Sequence, residues 1–62
     1  MCESNAYLIK DGEEHLLMES VIFLKPGNGE TLLRSMFGEE AIVPATLKEM
    51  DLTGHRIILE ST

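Results

Sequence analysis

The chain has 62 residues, 44% of them apolar, and five Lys/Arg against eleven Asp/Glu give a net charge of −6. One domain of this length buries only about 60% of the surface its unfolded chain exposes, so a metal, a disulfide or a second subunit often helps; the lone cysteine, Cys2, excludes an internal disulfide. The longest apolar run, Val21–Leu24, has four residues, against the roughly 20 that a membrane-spanning helix needs.

The chain therefore reads as one small domain over residues 1–62 with no membrane partner. The single thiol and the lack of a signal-peptide pattern predict a reducing, cytoplasmic setting. The basic residues, Lys10, Lys25, Arg34, Lys48 and Arg56, stand at least eight positions apart in sequence. Phosphate backbones are bound by clustered Lys/Arg, so the acidic field disfavours a nucleic-acid partner.

In chain order, "NAYLIK" is the first short apolar run, and "DG" at 11–12 a turn signal. "HLLMESVIFLK" follows. Its Glu, Leu and Met residues favour a helix, but "VIF" is strongly β-forming and the neighbouring runs need partners, so a strand is expected. Strict alternation would put Leu16, Met18, Ser20, Ile22 and Leu24 on one face and Leu17, Glu19, Val21 and Phe23 on the other. Both faces are then largely apolar: one fills a core and the other seeks cover, for which a second copy of the chain is a candidate. "KPGNGE" reads as a hairpin loop, with Gly27 and Gly29 available for positive φ. "TLLRSMF" is the third run and "GEE" the next turn. "AIV" is the fourth run, ended by Pro44, which donates no ladder bond. "ATLKEMDL" is expected to form a helical turn before the last strand, "HRIILE". Short runs divided by turn signals predict an all-β barrel or sandwich, with about five short strands.

Enzyme constellations are missing: no phosphate loop, no paired-cysteine zinc motif, no HExxH. Glu13-Glu14 and Glu39-Glu40 are adjacent carboxylates, but neighbours on a strand point to opposite faces, so they read as solvated turn shoulders. His15 and His55 read as surface histidines beside turns, Met18, Met36 and Met50 as core filler, and Tyr7 as a packed ring with an exposed hydroxyl. A nucleophile–base pair between Cys2 and a histidine would need fixed geometry, which a chain end does not supply.

Cys2 is then the residue to explain. An ordinary exposed thiol is the plain reading. Once Met1 is removed, however, the Cys2 thiolate and α-amine form a five-membered chelate, and the deprotonated backbone nitrogen of Glu3 offers a third donor. Planar nitrogen and thiolate donors suit Ni(II) or Cu(II). One chain supplies too few ligands for a closed site, whereas two chains about a dyad bring two Cys2 residues.

The "MC" start before the first strand, the acidic sixty-odd-residue length and the block "FGEEAIVPATLKEMDLTGHRIILE" resemble the CooT family. The resemblance implies a small SH3-like β-barrel, a homodimer, Ni(II) bound through Cys2, and a role in carbon monoxide dehydrogenase maturation. More distantly the "MC" start is similar to the HypC-type maturation chaperones, although Ala6 replaces the proline usual shortly after their cysteine. The resulting expectation is a non-enzymatic nickel-binding accessory protein with Cys2 as its metal residue. Its alternatives are a maturation-chaperone interaction module, an RNA-binding barrel and a small thiol enzyme.

Overall fold

Asp11 and Gly12 both adopt positive φ, 54° and 78°, and so form the two-residue hairpin turn whose twist matches its flanking strands. It joins β1 (Ser4–Lys10) to β2 (Glu13–Pro26). The computed structural model describes residues 3–61 and continues through β3 (Thr31–Ser35), β4 (Glu40–Val43), β5 (Ala45–Asp51) and β6 (Arg56–Ser61). One sheet holds all six strands in the order β4-β3-β2-β1-β6-β5. Every pairing is antiparallel except β1 with β6, which run parallel. Among the described residues no helix is long and apolar enough to cross a membrane.

The all-β reading holds, with six strands rather than about five. The additional strand is β5, where "ATLKEMDL" had been expected to turn helically. Its residues are good helix formers, yet β6 carries three successive buried residues, Ile57, Ile58 and Leu59, and its outer edge needs a partner. Pairing of Leu47 with Leu59 and Met50 with Ile57 meets that need. Tertiary pairing outweighs local propensity here. The third run is also shorter than expected: β3 stops at Ser35, and Met36 and Phe37 lie in the turn before β4.

Fourteen residues of straight strand would run roughly 43 Å at about 3.3 Å per residue, whereas the longest dimension of the molecule is 31 Å. β2 therefore bends. Register shifts against β1 fall on either side of Ala6, which opposes Met18, and a further shift against β3 falls between Val21 and Phe23. At the bend Ser20 has φ of 54°, a left-handed conformation rare for a side chain with Cβ. Such bulges insert an extra residue and turn the strand. They also overturn the alternation expected for β2. Leu17 and Met18, though adjacent, both pack against the core, together with buried Val21 and half-buried Leu24. Leu16, Ile22 and Phe23 are left exposed.

The core consists of Ala6, Val21, Leu33, Ala45, Ile57 and Leu59, with Leu8, Leu17, Met18, Leu24 and Val43 packed around it. Met18 thus fills the core as expected, but Met36 and Met50 are exposed, because one sits in a turn and the other at the end of β5. In the β2–β3 loop only Gly29 takes positive φ, and Gly27 instead donates its N–H to the Glu30 carbonyl at 2.7 Å.

β4 and β5 lie at opposite ends of the sheet order, yet Pro44 alone separates them in sequence. The sheet must curl until its two ends meet. At the meeting point the buried Thr31 hydroxyl donates to the Ala45 carbonyl at 2.8 Å, tying β3 to β5. We expect Thr31→Val to cost about 1–2 kcal/mol in urea unfolding, and Thr31→Ser, which keeps the hydroxyl, to cost no more than about 1 kcal/mol for its lost methyl group. Equal stability of the Val variant and the native protein would remove this bond as the closure.

Candidate functional site

Cys2, the residue singled out from sequence, lies outside the described residues. What the structure shows is the scaffold into which it leads. β1 begins with Ser4 opposite Val21, at the bend of β2. The next residue, Asn5, is held from two sides: its backbone N–H donates to the His55 carbonyl at 3.0 Å, and its side-chain Oδ1 accepts from the Ser20 N–H at 3.2 Å. That second bond supplies a partner to an amide in the left-handed bulge. Asn5 therefore joins the start of β1, the bend of β2 and the entry to β6 in one knot.

Beyond Val21, β2 leaves β1 and pairs with β3 instead. A groove of about 250 Å³ lies there, lined by the apolar residues Val21, Ile22, Phe23, Leu24, Met50 and Ile57. Ile22 is 55% exposed, Phe23 40% and Met50 44%. Phe23 also carries the Arg34 guanidinium over its ring, 4.7 Å from the centroid, an arrangement worth roughly 0.5–1 kcal/mol at an exposed site. Arg56, in register with Asn5 on β6, lies 4.7 Å from the Tyr7 ring centroid and reaches Glu14 Oε2 at 2.6 Å. The start of β1 is thus flanked by an apolar groove and a braced cation.

The remaining candidates do not gather there. His15, opposite Leu8, is exposed and stands 3.8 Å from Glu13. His55 is exposed in the turn before β6, with φ of 57°. Their backbones meet β1 at Leu8 and Asn5, three residues or roughly 10 Å apart along the strand. Among the described residues no group of three or more His, Cys, Asp or Glu is placed to hold a metal ion. One carboxylate of each adjacent pair, read from sequence as a solvated turn shoulder, instead forms an ion pair: Glu14 engages Arg56, and Glu40 engages Arg34 at 2.6 Å. Lys48 reaches Glu60 at 3.9 Å. Arg34, Lys48 and Arg56 are thereby committed to carboxylates, which leaves less cationic surface for a phosphate backbone.

Two features escaped the sequence reading. Phe37 is 71% exposed in the β3–β4 turn, where an extended "TLLRSMF" strand had been expected. The bulge at Ser20 had no signal of its own, because serine is not a residue that announces positive φ.

Comparison with known proteins adds to this geometry. A family model described as CO dehydrogenase accessory protein CooT matches residues 1–60. No curated protein matches the chain. Among solved structures, a crystal structure of a candidate CooT from Carboxydothermus hydrogenoformans is 34% identical, with a TM-score of 0.89 over 98% of each chain. With nearly its whole length matched in sequence and in fold, the chain belongs to the CooT family of CO dehydrogenase accessory proteins.

Proposed function

We propose that this CooT-family protein holds Ni(II) through Cys2 in a homodimer and passes it to a metalloenzyme of the carbon monoxide dehydrogenase type, without itself catalysing a reaction. Nickel on this reading is cargo. The observation that carries the proposal is the position of the β1 start, knotted at Asn5 and set beside an exposed apolar groove. Two peptide units separate Cys2 from Ser4, so covalent geometry keeps their Cα atoms within roughly 7 Å. A dyad that pairs two Cys2 residues must therefore pass near the β1 start, and the nearby surface with most to gain from cover is the one bearing Ile22, Phe23 and Met50. Alternation left either face of β2 open to a partner; Val21 is buried in the monomer core and unavailable to one, whereas Ile22 and Phe23 are exposed.

The donor chemistry fits nickel. A thiolate and an α-amine from each of two chains make four donors in the number a planar Ni(II) site takes. The carboxylate-rich surface supports a cation-handling role over RNA binding, and the curled six-stranded sheet is consistent with the SH3-like barrel implied by the family. A reducing, cytoplasmic compartment suits a free thiolate.

Calorimetric titration is the direct test of the metal site. We expect one Ni(II) per two chains, affinity rising with pH as thiol and amine release their protons, and loss of tight binding in Cys2→Ser with the fold retained. Extra residues ahead of Cys2 turn the amine into an amide and should weaken binding as well; unchanged affinity with such an extension would exclude the amine as a ligand. A folded Cys2→Ser protein with native stoichiometry and affinity would end the proposal.

The dimer has its own check. Ile22→Asp places a charge on an exposed side chain, so the monomer should fold while sedimentation shows the dimer shifted toward monomer and nickel affinity falls with it. A fully dimeric Ile22→Asp protein would move the interface elsewhere.

A further inference from the structure

β2 is longer than either of its neighbours, and this leaves one of its edges open. β3 pairs with β2 only from Val21 to Pro26. The Ser20 carbonyl accepts from the Met36 N–H at 2.8 Å. From Glu13 to Glu19, the edge of β2 opposite β1 has no strand beside it among the described residues. Lys10 and Glu13 flank the two-residue turn as a hydrogen-bonded pair, so the antiparallel alternation directs the N–H and C=O of Glu14 and Leu16 to that open edge. An unpaired edge of this kind is a template for another strand.

Next to the edge lies a groove of about 420 Å³, lined by Leu16, Leu17, Met18 and Glu19 of β2 and by Phe37, Glu39 and Glu40. The turn carrying Phe37 is held in place. Buried Ser35 accepts from the N–H groups of Phe37 and Glu39 through Oγ, at 3.1 and 3.2 Å, and donates its own N–H to the Glu39 carbonyl at 2.8 Å. The backbone that carries Phe37 is thus fixed before binding, which lowers the ordering cost of using the exposed ring as an anchor.

Charge selects the occupant. Glu14 and Glu40 are neutralised by Arg56 and Arg34, but Glu19 and Glu39 have no ion pair among the described residues. A second copy paired along this edge would bring Glu13 and Glu19 of one chain against the same residues of the other, and like charges across a ladder are unfavourable. We infer that the open edge of β2 and the groove beside Phe37 dock an extended segment of a partner protein, one that adds a short strand along Glu13–Leu16, sets an apolar side chain against Phe37 and carries Lys or Arg toward Glu19 and Glu39. Recognition of this type takes affinity from main-chain bonds and specificity from alternate side chains. The inference rests on the accessory role that comes with the family, and uses neither Cys2 nor the groove proposed for the dimer.

The probe is a fluorescein-labelled seven-residue peptide of alternating Lys/Arg and Val/Ile, titrated into the full chain at physiological salt and followed by anisotropy and amide NMR. Saturable binding is expected, with the largest shifts at Glu14, Leu16, Glu19 and Phe37. Phe37→Ala, at an exposed position, should lower affinity at least about tenfold, as should alternate N-methylation of the peptide, which removes its pairing edge but keeps its charge. Cys2→Ser should bind as the native protein does, so failure of the nickel reading and failure of this one give different results. Equal affinity for the methylated peptide would mean bare charge attraction and overturn the inference. So would shifts centred on Ile22 and Met50, an unaffected Phe37→Ala variant, or concentration-dependent protection of the Glu14 and Leu16 amides in the free protein, the mark of a second copy on this edge.

Discussion

The structure depends on the single residue between β4 and β5. Val43 ends the strand at one limit of the sheet and Ala45 begins the strand at the other. Consecutive Cα atoms are 3.8 Å apart across a trans peptide, so a six-stranded sheet joined in this way has no flat solution. Proline suits the corner because its fixed φ and missing N–H stop one ladder before the other begins. Curling then creates a narrow interior, and its contents match: two alanines, Ala6 and Ala45, with aliphatic Val21, Leu33, Ile57 and Leu59, and no aromatic ring. Thr31 can bury its hydroxyl at the seam because the Ala45 carbonyl is there to accept it. An unpaired hydroxyl in that position would be costly.

Curling on this scale makes β2 serve two neighbours in succession, β1 along its first half and β3 along its second. The bend between the halves explains much of the surface. It brings Leu17 and Met18 together onto the core, exposes Ile22 and Phe23, opens the apolar groove at the β1 start, and leaves the first half of the strand with an unshared edge. Acidic side chains stand along that edge. Charge on a free edge is a common protection against indiscriminate pairing, and here it also narrows the kind of partner the edge can accept.

The two ends of β1 have different characters for the same reason. Its C-terminal end is a tight Asp-Gly hairpin, a local structure that needs little from the rest of the molecule. Its N-terminal end is secured by tertiary contacts alone, through Asn5 to Ser20 and His55.

Sequence by itself determined the all-β class, the turns at Asp11-Gly12 and around Gly29, the end of a strand at Pro44, the exposed histidines and the family. These are local matters of φ preference, missing donors and short-range pattern, or a pattern shared along the whole chain. It also directed attention to Cys2, through the chemistry of a thiol beside an amine. Tertiary structure decided the rest. "ATLKEMDL" has helical propensity and becomes β5 because β6 requires an edge partner, a demand that no window of local sequence contains. Alternation assigned faces to β2 correctly for a straight strand, but the strand bends at Ser20, and each bulge shifts every later side chain by one position. Met50 and Phe37 are surface because one lies near the end of β5 and the other beyond the end of β3. The apolar groove at the β1 start and the open edge of β2 arise only when six strands share one curled sheet, because both are places where pairing stops.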